Sequence, residues 1–300
     1  MHIFKDTCRR IKMTTSLKIS LFLIVTLFSN LSAAQSTNTQ KISENVYSIF
    51  LNYVQTLVVI GDKGVLITDP ANSIRAKQLK KEIAKLTPLP VTDIVLSHEH
   101  YDHIGGTEVF PGATIYAQKH AEAVFRLDIT GQAPKKVDLL VNEKETIKMG
   151  NTKVNLYHYG AADGVAMMAL HLPKEKVVFS ADLYEANEIT NKLWLADSNY
   201  LGSRILLNNL VALKPEYAIT THSKSIDPKH LIMGARFYND LYDAVEAKTL
   251  EALSQGFPAL VNVMTTLPNQ VKLEHFKGFK NYDHLPAHVE RMILSIFHGG

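Results

Sequence analysis

The chain has 300 residues, 46% of them hydrophobic, with 32 Lys and Arg against 29 Asp and Glu and a single cysteine. The first 34 residues hold Lys5, Arg9, Arg10, Lys12 and Lys18 against Asp6, and they also hold Cys8. The remainder is near neutral and free of thiol, which excludes a disulfide framework, a thiolate metal site and a cysteine nucleophile and gives no electrostatic reason to expect nucleic acid as a partner.

The run Ile19–Phe28, ISLFLIVTLF, follows the basic residues up to Lys18. It is too short to cross a bilayer, which takes about 20 residues, and it fits the apolar region of a secretory signal. Ser32-Ala33-Ala34 supplies the small residues of a cleavage site. Residues 1–34 are therefore expected to be removed as a signal peptide, with cleavage near Ala34; an uncleaved anchor is the competing reading. No cysteine follows the run, which argues against a lipoprotein. The mature protein is expected to be exported, periplasmic or secreted, with no stable membrane anchor.

Residues 36–40 are polar and read as a short mature tail. Val46–Phe50, Gln55–Ile60 and Gly64–Thr68 are β-rich, and Gly61-Asp-Lys-Gly64 between the last two signals a hairpin. Ser73 opens a helix whose Ala76, Leu79, Ile83 and Leu86 recur at three and four residues, ended by Pro88 and Pro90. Val91–Ser97 is a short apolar strand. Strands are expected again near 153–159, 166–172 and 176–180, then a helix near 203–213 and a strand at 217–221. Strands followed by helices in both halves predict an α/β fold of two packed sheets with helices outside. From Pro228 the pattern turns helical, with Phe237, Leu241 and Val245 in a long helix ending near Gly256 and another helix near 287–297. Residues 41–227 are expected to form the main domain and 228–300 a helical appendage packed against it.

Chemistry concentrates in Ser97-His98-Glu99-His100-Tyr101-Asp102-His103-Ile104-Gly105-Gly106, directly after an apolar strand. Neutral imidazole and carboxylate are the ligands zinc takes when no thiolate is present. Four donors in one short loop exceed the three protein ligands of a zinc that keeps an open position, and two neighbouring metals are the natural reading. The bland reading is a solvated loop that is histidine-rich by chance.

These residues resemble the His-x-His-x-Asp-His motif of the metallo-β-lactamase superfamily, matched at His98, His100, Asp102 and His103 without a gap. The resemblance spans about residues 42–225 and implies a four-layer αββα sandwich. It implies that His98 and His100 bind a first metal and Asp102 and His103 a second. It makes Asp182, in Phe179-Ser-Ala-Asp182, the bridging carboxylate, and His222, in Ala218-Ile-Thr-Thr-His222, the last ligand of the second metal. Thr221 replaces the family's usual glycine before that histidine. The third ligand of the first metal departs from the family, since an ungapped alignment puts Asp163 where a histidine is usual. Aspartate binds zinc at much the same distance. His158 is the rival, although Val154, Leu156 and His158 also alternate as a core-facing strand would; a site with no third protein ligand is the remaining choice. Asp69, in Leu66-Ile-Thr-Asp69-Pro70, is either a carboxylate that orients a ligand imidazole or a turn aspartate before proline. Trp194, Tyr184 and Tyr200 are read as core or cleft-lining aromatics, without a catalytic role.

The implied activity is that of a binuclear metal hydrolase. Two zinc ions are expected per chain, with iron or manganese as alternatives because His/Asp sites accept all three. A metal-bound hydroxide would attack an ester-type bond of a small-molecule substrate, a lactone, a carboxylic ester or a sulfate ester, with Asp102 or Asp182 relaying a proton. Asp163 in place of the usual histidine and the segments Phe237–Gly256, Leu267–Leu273, Tyr282 and His288–Met292 loosely resemble the alkylsulfatase branch, which uses acidic residues in this region. A β-lactam-hydrolysing enzyme is the first alternative, and a metal-binding protein that has lost catalysis is the second. A thioesterase like glyoxalase II ranks lower, because its thiol-conjugate substrate is normally cytosolic, and RNA-processing members are disfavoured by export and charge. The sequence sets no expectation of oligomeric state.

Overall fold

A computed structural model describes residues 37–299. The predicted signal segment, residues 1–34, lies outside them with Cys8. Among the described residues no helix is long and apolar enough to cross a membrane.

Residues 36–40 are expected to be a polar tail, but Thr37–Lys41 is instead strand β1, paired antiparallel with β2 (Val46–Leu51) in the register Thr37 to Leu51. It sits at the edge of its sheet. Backbone pairing holds such a strand, so its side chains need no apolar pattern. Strands β3 (Val54–Ile60) and β4 (Val65–Thr68) form the predicted hairpin, closed by Gly61 N–H donating to Gly64 O at 2.8 Å. Helix α1 (Ser73–Ala84) crosses to β5 (Val91–Val95), which pairs parallel with β4. The four-residue helix α2 (Tyr101–Ile104) follows, then β6 (Thr114–Gln118), helix α3 (Ala121–Phe125) and β7 (Leu139–Val141), completing a seven-stranded sheet in chain order.

The second sheet has the order β12-β11-β10-β9-β8. It contains β8 (Lys144–Met149), β9 (Thr152–Tyr157), β10 (Ala169–Leu172), β11 (Val177–Ser180) and β12 (Tyr217–Ile219), with helix α4 (Tyr200–Ala212) linking the last two. Helices α5 (Pro228–Gln255), α6 (Phe257–Thr266) and α7 (Leu285–His298) follow. The sequence pattern predicts α5 and α7 but not α6, nor β6, β7 and β8, whose buried positions are too few to impose a period.

Side-chain alternation explains the layers. In β3, β4 and β5, Leu57, Val59, Leu66 and Val95 point to a core shared with Val154, Leu156, Leu170 and Phe179 of the second sheet. Val58, Val65, Ile67 and Ile94 point the other way, onto Ala76, Leu79 and Ile83 of α1. Both faces of the first sheet are covered, which is why its central strands read as continuous apolar runs. Leu206, Leu207, Leu241, Val245, Val289 and Met292 of α4, α5 and α7 join the larger core. The result is helix, sheet, sheet, helix.

Candidate metal centre

The loops leaving β4, β5, β11 and β12 at their carboxyl ends bring Asp69, residues 97–103, Asp182 and His222 to one edge of the sandwich. The metal loop is held there by its own backbone. Ala71 N–H donates to His103 O at 2.9 Å, and a Cβ on Gly106, whose φ is 87°, would meet Asn72 O at 2.6 Å. Only glycine lets the loop lie this close to the start of α1.

His98, His100, Asp163 and Asp182 form one group of donor atoms, all within 4.8 Å of one another; Asp102, His103 and His222 form a second. Asp182 reaches into both. Its Oδ2 lies 3.6 Å from His98 Nε2 and 2.9 Å from His103 Nε2, and its Oδ1 lies 3.3 Å from His222 Nε2. Asp163 Oδ2 lies 3.7 Å from His98 Nε2 and 3.5 Å from His100 Nδ1, while Asp102 Oδ2 lies 3.6 Å from His103 Nε2. Of the two candidates from sequence, the structure brings Asp163 to the cluster and leaves His158 outside it. The His158 Nδ1 is 2.8 Å from Met167 O, and its ring packs edge-on to His120.

Hydrogen bonds on the outer ring nitrogens decide which nitrogen faces the centre. The Ser97 hydroxyl donates to Asp69 Oδ2 at 2.7 Å and accepts from His98 Nδ1 at 2.9 Å. His103 Nδ1 donates to Asp69 Oδ2 at 3.2 Å, and His222 Nδ1 donates to Tyr53 O at 2.7 Å. These three imidazoles therefore turn Nε2 inward. His100 is reversed: its Nε2 is held by Asp197 Oδ2 at 2.7 Å, and its Nδ1 faces the cluster. Asp69 is fully buried and also accepts from Ser97 N–H at 2.8 Å, so it is more than a turn residue.

This donor set fits metal ions. His98 Nε2, His103 Nε2 and Asp182 Oδ1 are buried with no hydrogen-bond partner. Unpartnered buried acceptors are costly, and inward-facing imidazole and carboxylate lone pairs are what a divalent cation requires. Burial, reinforced by His103 and His100, holds His98 well below the usual imidazole value, so it stays in its neutral, ligating form. Burial and the neighbouring Asp182 push Asp163 up to about 7. Burial also works against a charge on His100, but the hydrogen bond to Asp197 and the Asp163 carboxylate outweigh it and raise that ring to about 9.

Several supporting residues occupy none of the motif's donor positions. Glu99, between two of the histidines, accepts from Val165 N–H at 2.6 Å and Ala166 N–H at 3.0 Å and so anchors the loop that carries Asp163. Ser198 Oγ donates to Asp163 Oδ1 at 3.1 Å. Glu185, three residues past Asp182, is pushed up to about 8 by burial. Only Glu99 had a signal available, its place inside the histidine motif. Tyr184 and Tyr200 are core residues, whereas Trp194 is 70% exposed.

The model of the Metallo-beta-lactamase superfamily matches residues 50–222, and the chain belongs to that superfamily. A 2,4-dinitroanisole O-demethylase subunit alpha from Nocardioides sp. strain JS1661 is 28% identical over 152 residues, 49% of this chain and 46% of that protein. The Schizosaccharomyces pombe protein named "Probable hydroxyacylglutathione hydrolase glo2" is 25% identical over 175 residues, 56% of this chain and 62% of that one. The chain thus spans roughly half the length of these curated relatives. Among solved structures, the metallo-beta-lactamase IND-7 superposes with a TM-score of 0.59 at 19% identity, covering 68% of this chain and 98% of that one. That likeness establishes the four-layer fold.

Proposed function

We propose that the protein is an exported binuclear metal hydrolase acting on an ester-type bond, a lactone, a carboxylic ester or a sulfate ester, of a small molecule. The observation that carries this reading is the position of Asp182, whose two oxygens face both donor groups at once. His98, His100, Asp163 and Asp182 would hold one ion, and Asp102, His103, His222 and Asp182 the other; zinc suits both donor sets. Ions bound there would supply activated water and polarise the bond under attack.

The chain's own residues do the rest. Asp69, Ser97, Tyr53 O and Asp197 fix the four imidazole rings, so the inward lone pairs are set before any ligand arrives. Asp102 is 66% exposed while its carboxylate faces His103, which suits it to pass a proton between the centre and solvent. Export rests on the basic and apolar pattern of residues 1–34. The helices from residue 228 onward are read as an appendage to the superfamily domain.

The test is a hydrolysis screen on metal-quantified protein with lactones, aryl esters, alkyl sulfates and a chromogenic cephalosporin. An acylglutathione thioester and an aryl methyl ether belong in it, because relatives carry names for such substrates. Turnover of an ester-type substrate, lost on chelation and restored by zinc, is the expected result. Two bound ions with no turnover of any substrate would refute the enzyme reading in favour of a metal-binding protein.

A further inference from the structure

The match to the superfamily ends at residue 222, yet the last helix reaches the metal centre through one intervening segment. Arg291 of α7 donates from Nε to Ser198 O and from Nη1 to Ala196 O, the latter at 3.2 Å. These carbonyls flank Asp197. Asp197 holds His100 Nε2 at 2.7 Å, and the Ser198 hydroxyl holds Asp163 Oδ1 at 3.1 Å. The same helix fixes the segment at two further points. Ser295 Oγ accepts from Tyr200 N–H at 3.0 Å, and His288 lies between Tyr200 OH at 2.6 Å and Thr190 O at 2.8 Å. Apart from a short helical turn at Lys192–Trp194, a single bridge between Ser198 and Asp163 and the Asn199 N–H bond to Ala162 O at 2.6 Å, residues 190–199 have no regular structure of their own.

We propose that Arg291 is a positioning residue of the metal centre. By fixing the carbonyls of residues 196 and 198 it aims Asp197 at His100 and Ser198 at Asp163, and so sets how tightly the first donor group binds its ion. This rests on the reading that His98, His100, Asp163 and Asp182 hold a metal. The guanidinium suits the task because its planar fork presents several N–H groups in fixed geometry, whereas a lysine ammonium is a single flexible point. Groups that orient a metal ligand change affinity about 10–100-fold when removed, and Arg291 acts on two such groups together. A purely structural arginine would change stability alone.

The experiment uses the full chain with Arg291→Ala, Arg291→Lys, Asp197→Asn and the double variant Arg291→Ala/Asp197→Asn. Zinc affinity and stoichiometry are measured by titration, cobalt(II) spectra report the geometry of each ion, and thermal denaturation reports the fold. The expected result is two ions in the parent, and in Arg291→Ala a roughly 10-fold weaker binding of one of them with a changed cobalt spectrum. Arg291→Lys recovers part of the loss, and the double variant loses less than the two single changes would together, because both act on His100. Unchanged affinities and spectrum in Arg291→Ala, or full additivity with Asp197→Asn, would overturn the proposal. If Arg291→Ala does not fold, Arg291→Lys carries the comparison, and parent-like binding and spectrum there overturn it too. Failure confined to the variants leaves the functional reading standing, whereas a parent protein that takes up no metal sinks both.

Discussion

Asp69 and His103 are 34 residues apart in sequence, yet the Asp69 carboxylate accepts from His103 Nδ1 at 3.2 Å inside a fully buried cluster. The same oxygen accepts from Ser97, which in turn holds His98. One carboxylate therefore orients an imidazole in each donor group. Asp69→Asn is expected to weaken both ions, about 10–100-fold in affinity, because an amide offers one acceptor where three donors now converge. Zinc titration checks this, and two ions bound with parent affinity would refute it.

His100→Ala removes the one imidazole that presents Nδ1, and with it a donor of the first group. Activity is expected to fall by at least about 100-fold, the scale of removing a transition-state charge stabiliser, with the circular dichroism spectrum unchanged. Activity near the parent level would remove His100 from the site.

Asp163→Ala and His158→Ala decide between the two sequence candidates. Asp163→Ala is expected to lower the metal content from two ions to one after dialysis. His158→Ala is expected to leave it unchanged, since that ring bonds Met167 O outside the cluster. The reverse outcome would exchange their roles.

Gly164 has φ 76°, and a Cβ there would meet the Glu99 carboxylate at 2.6 Å. Gly164→Ala is therefore expected to cost about 2 kcal/mol, from left-handed strain and disturbed bonds to Val165 and Ala166. Urea denaturation gives the stability. A change within about 0.5 kcal/mol, the range of ordinary surface substitutions, would show that the loop has room to relax.

His288 sets a pH dependence of folding. Burial drives its value down to about 4, against the hydrogen bond to Thr190 O and with help from His284. The unfolded chain, with an ordinary imidazole near 6.5, binds the proton more readily. Stability is therefore fully present above about pH 6.5 and is lost as pH falls from there towards 4, by on the order of 3 kcal/mol from this residue. His288→Gln should flatten that part of the profile in denaturation curves between pH 4 and 7. An equally steep profile would assign the loss to other groups.

The sequence by itself, with the superfamily resemblance it carries, singled out the candidate donors that are contiguous or follow an apolar strand. His98, His100, Asp102 and His103 stand in one loop after β5, and Asp182 and His222 follow β11 and β12, so position along the chain nearly fixes position in space. The two-sheet class was legible for the same reason, because buried strands must be apolar at alternate or successive positions. Tertiary structure decided what depends on backbone path. Strand β1 is held by backbone pairing at a sheet edge, which leaves no apolar signature. Asp163 rather than His158 reaches the cluster because Glu99 and Gly164 hold its loop there, and no local pattern encodes that turn. Asp197, Ser198 and Arg291 come together across irregular chain and a separation of 93 residues between the last two. Such contacts follow from how the last helix packs, and packing geometry is not written in the spacing of any single segment.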